Sequence, residues 1–422
     1  MWRYLPNDFR IRSLYDVGVD WPITYDDLEP WYQEAEEKTG VNGSTDTGSP
    51  RTKPFPMEPV AEVWAMRRFR ERLAPEYPVV SNTAARNSRP YDGRPACCGA
   101  NNCQPICPID AQYTGGTAVA AAERAGVVIQ ENAVVYRIEA APGGRIAAVH
   151  YFDPDRGSHR VTGETFILAA NGIESPKLLL MSADDARPRG ISNSSDQVGR
   201  NLCDHPSASL TFDAEDELWL GRGPQSPSSI NTLRDGPWRS QHAPFRLDFT
   251  NISQLRGAAE DLIAEGVYGP AFERELRRRA AHQCNVKNVI EVLPNPENRV
   301  TLSDKKDALG LPHPRVSYSI SDYVERGMEV SVQHFARIAE LMGGTNLRYT
   351  PKGEYANNQH ITGTLGMGAD PARSVVDGWG RAHDHENLFM VGTGVMPTSA
   401  TVNSTLTALA LALRTAHHIE QG

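Results

Sequence analysis

The sequence predicts a mixed α/β (α+β) fold with two separate sheets. Short runs rich in β-branched residues follow one another between positions 127 and 170, which is typical of strands. The last run leads through Asn171 and Gly172 into a helical pattern, and such a strand, glycine turn and helix brings helix amides close to a ligand. A second group of strand-like runs between 286 and 320 indicates another sheet.

Composition places the chain among ordinary globular proteins. Its 422 residues are enough for two or three domains at about 150 residues each. Hydrophobic residues make up 40% and charged residues 23%, and no apolar run approaches the roughly 20 residues of a membrane-spanning helix. The net charge of −9 has the wrong sign for a protein that neutralises phosphates, so nucleic acid is excluded as a partner.

The first half of the chain alternates between helical and strand patterns. Asp26 and Asp27 are typical of a helix N-terminus, and Gly40 is typical of a helix end. In order, we expect helices from Asp26 to Gly40 and at 60–73, 115–126 and 174–182, a loop at 43–56, and strands at 127–130, 133–140, 145–152 and 164–171.

The second half contains one stretch without a clear pattern. Between 213 and 251, Pro, Gly, Ser and Arg are frequent and no period is visible, so we predict irregular structure there. Beyond it we expect strands at 286–293, 299–302 and 315–320, an amphipathic helix at 322–342, a strand at 388–392 and a final helix at 403–419.

Four of the six cysteines fall within eleven residues, at positions 97, 98, 103 and 107. A chain of this length does not need a disulfide framework, so a metal or cluster site is favoured. Thiolates on a tight loop, with a proline after the last one, are typical of iron–sulfur clusters. Because adjacent cysteines rarely both reach one ion, we expect Cys97, Cys103 and Cys107 as ligands and leave Cys98 as a neighbour. A zinc site and unliganded thiols remain as alternatives.

A second cluster of candidate residues lies near the carboxyl end. His360 precedes glycines at 363, 366 and 368, which allow the backbone to approach a ligand closely. Asn403 stands at the start of the last predicted helix, where a polar side chain faces the same kind of pocket. Taken alone, the two would be interpreted as a hydrogen-bonded histidine and a helix N-cap.

Several separate motifs carry a resemblance to a known family, in the same order along the chain. They are DWPITYDDLEPWYQEAEEKTGVNG at 20–43, VGRNLCDHP at 198–206, EVLPNPENRVTLSDKKDALGLP at 291–312, QHITGTLGMG at 359–368 and LFMVGTGVMPTSATVNSTLTALALALRTA at 388–416. Together they resemble the glucose-methanol-choline (GMC) family of flavin oxidoreductases. The cysteine segment resembles the iron–sulfur loop in catalytic subunits of bacterial membrane-associated glucose, gluconate, sorbitol and fructose dehydrogenases.

The resemblance implies an FAD-dependent oxidoreductase that acts on CH–OH groups of a sugar, polyol or other alcohol. His360 matches the family's active-site histidine, which accepts the hydroxyl proton while hydride passes to flavin N5, and Asn403 matches its usual partner. FAD contacts are implied at Asn171, Gly172, Gly392, Thr393, Val395, Thr401 and Asn403. Cys97, Cys103 and Cys107 would carry a 3Fe-4S cluster that passes electrons to a cytochrome or another acceptor.

The resemblance also implies a domain plan, with a partial FAD/NAD(P)-binding Rossmann-like domain and a substrate domain whose largely antiparallel sheet is packed by helices. Residues 1–95 link the two domains, 96–112 form the iron–sulfur loop, 113–206 are the middle of the FAD domain, 207–350 bind the substrate, and 351–422 complete the FAD domain with the active-site His and Asn. The family's opening G-x-G-x-x-G motif does not occur in the sequence. We therefore expect the chain to begin inside the family's sequence and to bind FAD poorly by itself.

By the same resemblance, the partners are a small-molecule substrate, a small signal-bearing subunit and a multihaem cytochrome c subunit, through which the chain would reach the membrane. The opening residues show no basic patch followed by an apolar stretch, so we expect no export signal of the chain's own. The expected location is the periplasmic face of the inner membrane, although a cytoplasmic location also fits. Two other functions remain open: a flavin alcohol oxidase without a cluster, and an inactive fragment of such an enzyme.

Overall fold

The structure, a computed structural model, describes residues 1–45 and 48–422. The helices are α1 Ile11–Tyr15, α2 Tyr25–Thr39, α3 Trp64–Leu73, α4 Gly115–Arg124, α5 Asn171–Met181, α6 Leu255–Ala264, α7 Gly269–His282, α8 Asp322–Leu341 and α9 Thr405–Glu420. The strands are β1 Val79–Ser81, β2 Val134–Ala140, β3 Ile146–Phe152, β4 Ser158–Val161, β5 Phe166–Leu168, β6 Pro206–Ser207, β7 Ser209–Asp213, β8 Ser228–Ile230, β9 Phe245–Phe249, β10 Gln283–Ile290, β11 Arg299–Lys306, β12 Pro312–Ser317, β13 Thr345–Tyr349, β14 Ala356–Asn357 and β15 Leu388–Met390. Within the described residues, no helix combines the length and the apolar character needed to cross a membrane.

The largest sheet is antiparallel throughout and has the strand order β1-β8-β9-β10-β7-β13. Helices α3 and α8 pack against it, and Phe69 of α3 stacks on Phe249 of β9 with ring centroids 4.4 Å apart. Fully burying one such ring stabilises a fold by about 2 kcal/mol. The predicted antiparallel sheet packed by helices is therefore confirmed. Two of its strands, β8 and β9, lie in the stretch where the sequence predicted irregular structure.

A smaller parallel pair joins β5 to β15, and each of its strands leads into a helical turn. α5 begins at Asn171, shortly after β5, and a 3-10 turn at Thr393–Val395 follows β15. Strands β2, β3 and β4 form another antiparallel sheet beside α5. Helices α2 and α9 pack together in the buried cluster that includes Leu28 and Leu406. This region is the predicted partial Rossmann-like part of the fold.

One predicted strand does not form. Residues 127–130 have no regular structure, because no strand in the described part of the chain lies beside them to pair with. Their apolar side chains are exposed, and Val128 exposes 91% of its surface. Ile167 on β5 is exposed as well. Apolar side chains in residues 127–130 and on β5 are therefore exposed to solvent in this structure.

Two further predictions need correction. Strands β11 and β12, which were expected to belong to a second sheet, pair with each other as a hairpin. The last helix begins at Thr405 with Ser404 in the N-cap position, so Asn403 lies before the helix and is not its cap. The side chain of Asn403 is instead hydrogen-bonded to residues far away in the sequence, as the next section shows.

Candidate active site

Two short backbone pairings bring His205 and His360 together. β6 pairs with β14, and the backbones of Cys203 and Thr362 form a bridge beside them. The two imidazole rings therefore meet edge to face, with their centroids 5.0 Å apart. Nδ1 of His205 lies 2.9 Å from Nδ1 of His360, which is hydrogen-bond distance.

Asp204 holds the backbones of the two histidines in place. Its Oδ1 accepts a hydrogen bond from the amide nitrogen of His205 at 2.7 Å and another from that of His360 at 2.8 Å. Asp204 and His205 are buried, whereas His360 is partly accessible. His205 was not among the site residues predicted from the sequence, although it lies in the motif VGRNLCDHP, which carried part of the family resemblance.

Asn403 lies on the other side of His360. Its Nδ2 is 3.0 Å from Nε2 of His360, and its Oδ1 accepts a hydrogen bond from Nη2 of Arg246 at 3.2 Å. The same Nη2 donates to Oδ2 of Asp248 at 2.7 Å. The resulting hydrogen-bonded chain, called the His360 site below, consists of His205, His360, Asn403, Arg246 and Asp248. The structure thus brings together the two catalytic residues predicted from the sequence.

Strand β9 supplies the charged pair because its side chains alternate between the two faces of the sheet. Phe245, Leu247 and Phe249 enter the apolar core of the large sheet. Arg246 and Asp248 therefore point to the opposite face, where both are almost fully buried. The sequence analysis missed these two residues. The alternation F-R-L-D-F was the signal that could have found the strand.

Burial sets the protonation of both histidines. It lowers the pKa of His360 to about 4; the carboxylate of Asp204 opposes this effect, while Arg246 and Lys287 add to it. Burial, together with the neighbouring His360, lowers the pKa of His205 to about 3. Both rings are therefore neutral near pH 7, and a neutral His360 can accept a proton.

The cysteine loop, residues 97–107, borders a small cavity of about 20 Å³. The cysteines that line it are Cys97, Cys98, Cys103 and Cys107, all free thiols. Nη2 of Arg86 lies 3.6 Å from Sγ of Cys103, and the amide of Gly99 donates to Sγ of Cys97 at 3.4 Å. In residues 1–45 and 48–422, no group of three or more Cys, His, Asp or Glu side chains is gathered closely enough to hold a metal ion. The loop offers the thiol donors that an iron–sulfur group requires.

The cysteine loop is anchored to the lobe that contains the large sheet. Nδ2 of Asn101 donates to the carbonyl oxygens of Gly223 at 2.7 Å and of Asn251 at 2.9 Å.

Several of the predicted FAD contacts meet at the carboxyl ends of β5 and β15. A Cβ atom on Gly394 would lie 3.5 Å from Cα of Gly172, so the two segments touch. Gly392 has a φ of 103°, and apart from its neighbours in the chain no described atom lies within 4 Å of where its Cβ would be. Asn171 is exposed at the first position of α5. Open backbone and a helix N-terminus at the ends of parallel strands fit a cofactor that carries phosphate groups.

The remaining predicted FAD contacts are placed differently. Thr393 is partly exposed in the 3-10 turn, whereas the side chain of Val395 is buried in the apolar core. Thr401 is buried and accepts a hydrogen bond from Nε of Arg234 at 3.2 Å. Asn403 belongs to the His360 site. The contact of these residues with FAD stays a prediction.

Sequence comparison assigns the family. Two models of the GMC oxidoreductase family match residues 85–207 and 294–412. The chain is also 48% identical over 426 residues to the fructose dehydrogenase large subunit of Gluconobacter japonicus, covering 99% of this chain and 78% of that protein. The chain belongs to the GMC oxidoreductase family.

Other comparisons agree with this assignment. The GMC oxidoreductase is 30% identical over 436 residues to the 6'''-hydroxyparomomycin C oxidase of Streptomyces lividus, covering 99% of this chain and 76% of that protein. The crystal structure of pyridoxine 4-oxidase from Mesorbium loti matches this chain with a TM-score of 0.67 at 20% identity. The match covers 100% of this chain and 82% of the pyridoxine 4-oxidase chain, which shows a shared fold. The predicted family, fold class and enzyme class, an FAD-dependent oxidoreductase of a sugar or alcohol, are therefore confirmed.

Proposed function

We propose that this GMC oxidoreductase is a dehydrogenase that oxidises a CH–OH group of a sugar, with His360 as the base and the cysteine loop as the site of a 3Fe-4S cluster. The observation that carries the proposal is the His360 site, in which a neutral imidazole and a fixed amide face each other at 3.0 Å. The 48% identity with a fructose dehydrogenase large subunit makes D-fructose the first substrate to test, ahead of polyols and other alcohols.

His360 and Asn403 have different roles at the substrate hydroxyl group. Oxidation to a carbonyl removes a proton from the oxygen and a hydride from the carbon. His360 accepts the proton, because its ring is neutral near pH 7. Asn403 cannot act as a base, but its amide donates to the substrate oxygen and orients the carbon. FAD, when bound, supplies the hydride acceptor.

The cysteine loop adds a route for single electrons. Cys97, Cys103 and Cys107 would hold the cluster, with Cys98 as a neighbour. A 3Fe-4S cluster supplies one-electron chemistry, which suits delivery to a cytochrome better than delivery to oxygen. The four cysteines that line one small cavity support this role.

The proposal extends to partners and location. The relative from Gluconobacter japonicus is named a large subunit, which implies that it works with other subunits. On that basis we propose that this chain works with a small signal-bearing subunit and a multihaem cytochrome c subunit at the periplasmic face of the inner membrane. Co-purification of a haem-containing chain with the enzyme from its native membranes would support this assembly, whereas recovery of the active enzyme from the cytoplasm would contradict it.

Anaerobic mixing of the flavin-loaded enzyme with sugars tests the reaction. We expect D-fructose, or one of glucose, gluconate and sorbitol, to reduce the flavin, and we expect iron with a paramagnetic signal in the purified enzyme. Cytochrome c should be reduced faster than oxygen is consumed. Hydrogen peroxide formation by an iron-free enzyme would favour the alcohol oxidase instead. Failure of every sugar and alcohol to reduce the flavin would contradict the reaction and favour an inactive fragment.

A further inference from the structure

We propose that His205 is a positioning residue that fixes the tautomer of His360, so that Nε2 of His360 is the atom that accepts the substrate's proton. The inference rests on the proposed function, because it concerns which nitrogen of the proposed base reacts. Its support is the hydrogen-bonded chain of the His360 site, in which the partners at the two ends allow one placement of the ring protons.

The first constraint comes from the buried end of the chain. Nε2 of His205 lies 3.2 Å from the carbonyl oxygen of Ser399 and 3.1 Å from that of Ala400. Carbonyl oxygens accept hydrogen bonds and never donate them, so Nε2 of His205 must carry a proton. His205 is completely buried and neutral, which gives its ring a single proton. Nδ1 of His205 is therefore unprotonated and can serve as an acceptor.

His360 must then be the donor between the two rings. The two Nδ1 atoms are 2.9 Å apart, and a hydrogen bond needs a proton on one of them. Because Nδ1 of His205 has none, the proton lies on Nδ1 of His360. A neutral imidazole has one ring proton, so Nε2 of His360 holds a free lone pair.

The second constraint comes from Arg246 at the other end. A guanidinium has donors and no acceptor, so the atom of Asn403 that faces Nη2 of Arg246 must be Oδ1. Nδ2 of Asn403 then faces Nε2 of His360, as the distance of 3.0 Å indicates. The N–H group of Asn403 can then donate to the lone pair on Nε2 of His360, which agrees with the tautomer required by His205. Both ends of the chain thus select the same protonation state.

The same arrangement suits the proposed reaction. A substrate hydroxyl at this point would donate its proton to Nε2 of His360 and accept a hydrogen bond from Nδ2 of Asn403. When the proton moves to Nε2, the O–H bond breaks and His360 becomes an imidazolium. Its Nδ1–H keeps the hydrogen bond to His205 throughout. A group that orients the base in this way is a recurring part of active sites that use histidine.

Charge alone does not select the tautomer. The charged groups that face His360 come from three parts of the chain: Asp204 lies just before β6, Arg246 and Asp248 lie on β9, and Lys287 lies on β10. The two carboxylates favour a protonated ring and the two cations oppose it. These charges govern whether His360 is protonated, whereas the hydrogen bonds to His205 and Asn403 distinguish one ring nitrogen from the other.

Nuclear magnetic resonance of the enzyme with ¹⁵N-labelled histidine tests the tautomer directly. Long-range proton–nitrogen correlations distinguish Nδ1–H from Nε2–H, and the His360→Ala variant assigns the signal. We expect the Nδ1–H form of His360 in the wild-type enzyme and in His205→Asn, where the amide oxygen can still accept the hydrogen bond. We expect His205→Ala to weaken this preference measurably, because Asn403 is then the remaining hydrogen-bond partner that favours the Nδ1–H form. An Nε2–H signal for His360 in the wild-type enzyme would overturn the proposal, even if the variants failed to fold.

Kinetics provide the second measurement. His205→Ala should lower the rate of flavin reduction by about 10²-fold with little change in KM, since the ring of His360 loses the partner that orients it through Nδ1. His205→Asn should recover most of the rate. Unchanged activity and an unchanged pH profile in His205→Ala would refute the role of His205, as would equal losses in the Ala and Asn variants. Full activity of His360→Ala would instead contradict the proposed function itself.

Discussion

The His360 site and the cysteine loop are built in different ways. In the His360 site, side chains and backbone carbonyls fix both nitrogens of each imidazole, from Ser399 at one end to Asp248 at the other. In the cysteine loop, the protein bonds to sulfur are those of Arg86 and Gly99, at 3.6 and 3.4 Å. The fold therefore holds the histidines of the His360 site from several sides, whereas fewer protein contacts hold the sulfur atoms of the loop.

Replacing a proposed cluster ligand is expected to have the largest effect and to act on the loop alone. Cys103→Ser should abolish electron transfer to cytochrome c and remove iron from the enzyme, because a hydroxyl is a poor substitute for a thiolate ligand. Reduction of the flavin by the sugar should stay unchanged, because the His360 site does not depend on the loop for its hydrogen bonds. Stopped-flow absorbance, iron analysis and cytochrome reduction measure the three quantities.

Cys98→Ser is the matched control, since Cys98 lines the same cavity but was not assigned as a ligand. We expect it to keep both the iron and the transfer to cytochrome c. Iron loss in Cys98→Ser with iron retained in Cys103→Ser would show that the ligand assignment is wrong. Cytochrome reduction at the wild-type rate in Cys103→Ser would refute the relay role of the loop.

His360→Ala tests the His360 site instead of the cysteine loop, and we expect it to have the next largest effect. Loss of a general base lowers turnover by about 10²–10⁴-fold, so flavin reduction should slow by this amount. Iron content and the cluster signal should be unaffected. His159→Ala serves as a control, because His159 is an exposed histidine on β4 that is bonded to Asp153. A loss of iron in His360→Ala would contradict the separation between the two regions.

The candidate site could be predicted from the sequence only where the signal is local. Four cysteines within eleven residues are visible without any structure, and the motif around His360 supplied its role through the family resemblance. His205 could not be identified as a site residue in this way, because it and its partner His360 are 155 residues apart in the sequence. Arg246 was hidden for a different reason. It is a charged residue in a strand buried on both faces, so composition made the segment look irregular.

The fold shows the same limit. Helix α8 and strands β2 and β3 carry clear periods of their own, and the structure has them within a few residues of the predicted positions. Residues 127–130 have the composition of a strand but no partner among the described residues, and strand formation depends on cross-strand neighbours. Sequence patterns thus predicted which segments could form strands, while the pairing decided which of them did.

A fall in pH should destabilise the His360 site more than the cysteine loop, and we expect this to be the smallest of the predicted effects. The pKa of His360 is lowered to about 4 and that of His205 to about 3, from a usual value of about 6.5. Between pH 6.5 and 4 the unfolded chain therefore binds more protons than the folded chain, so stability falls as the pH decreases through this window. The cysteine loop contains no histidine.

Hydrogen exchange measured between pH 7 and 4.5 can locate this loss of stability. After correction for the intrinsic rates, we expect exchange to increase in residues 203–207 and 358–362 before it increases in residues 97–107. His205→Asn removes one of the two buried histidines, so its stability should depend less steeply on pH than that of the wild-type enzyme. An equal dependence in both would mean that the protons are bound elsewhere. The two histidines would then not explain the pH dependence, although the His360 site and the cysteine loop would still differ in their hydrogen bonds.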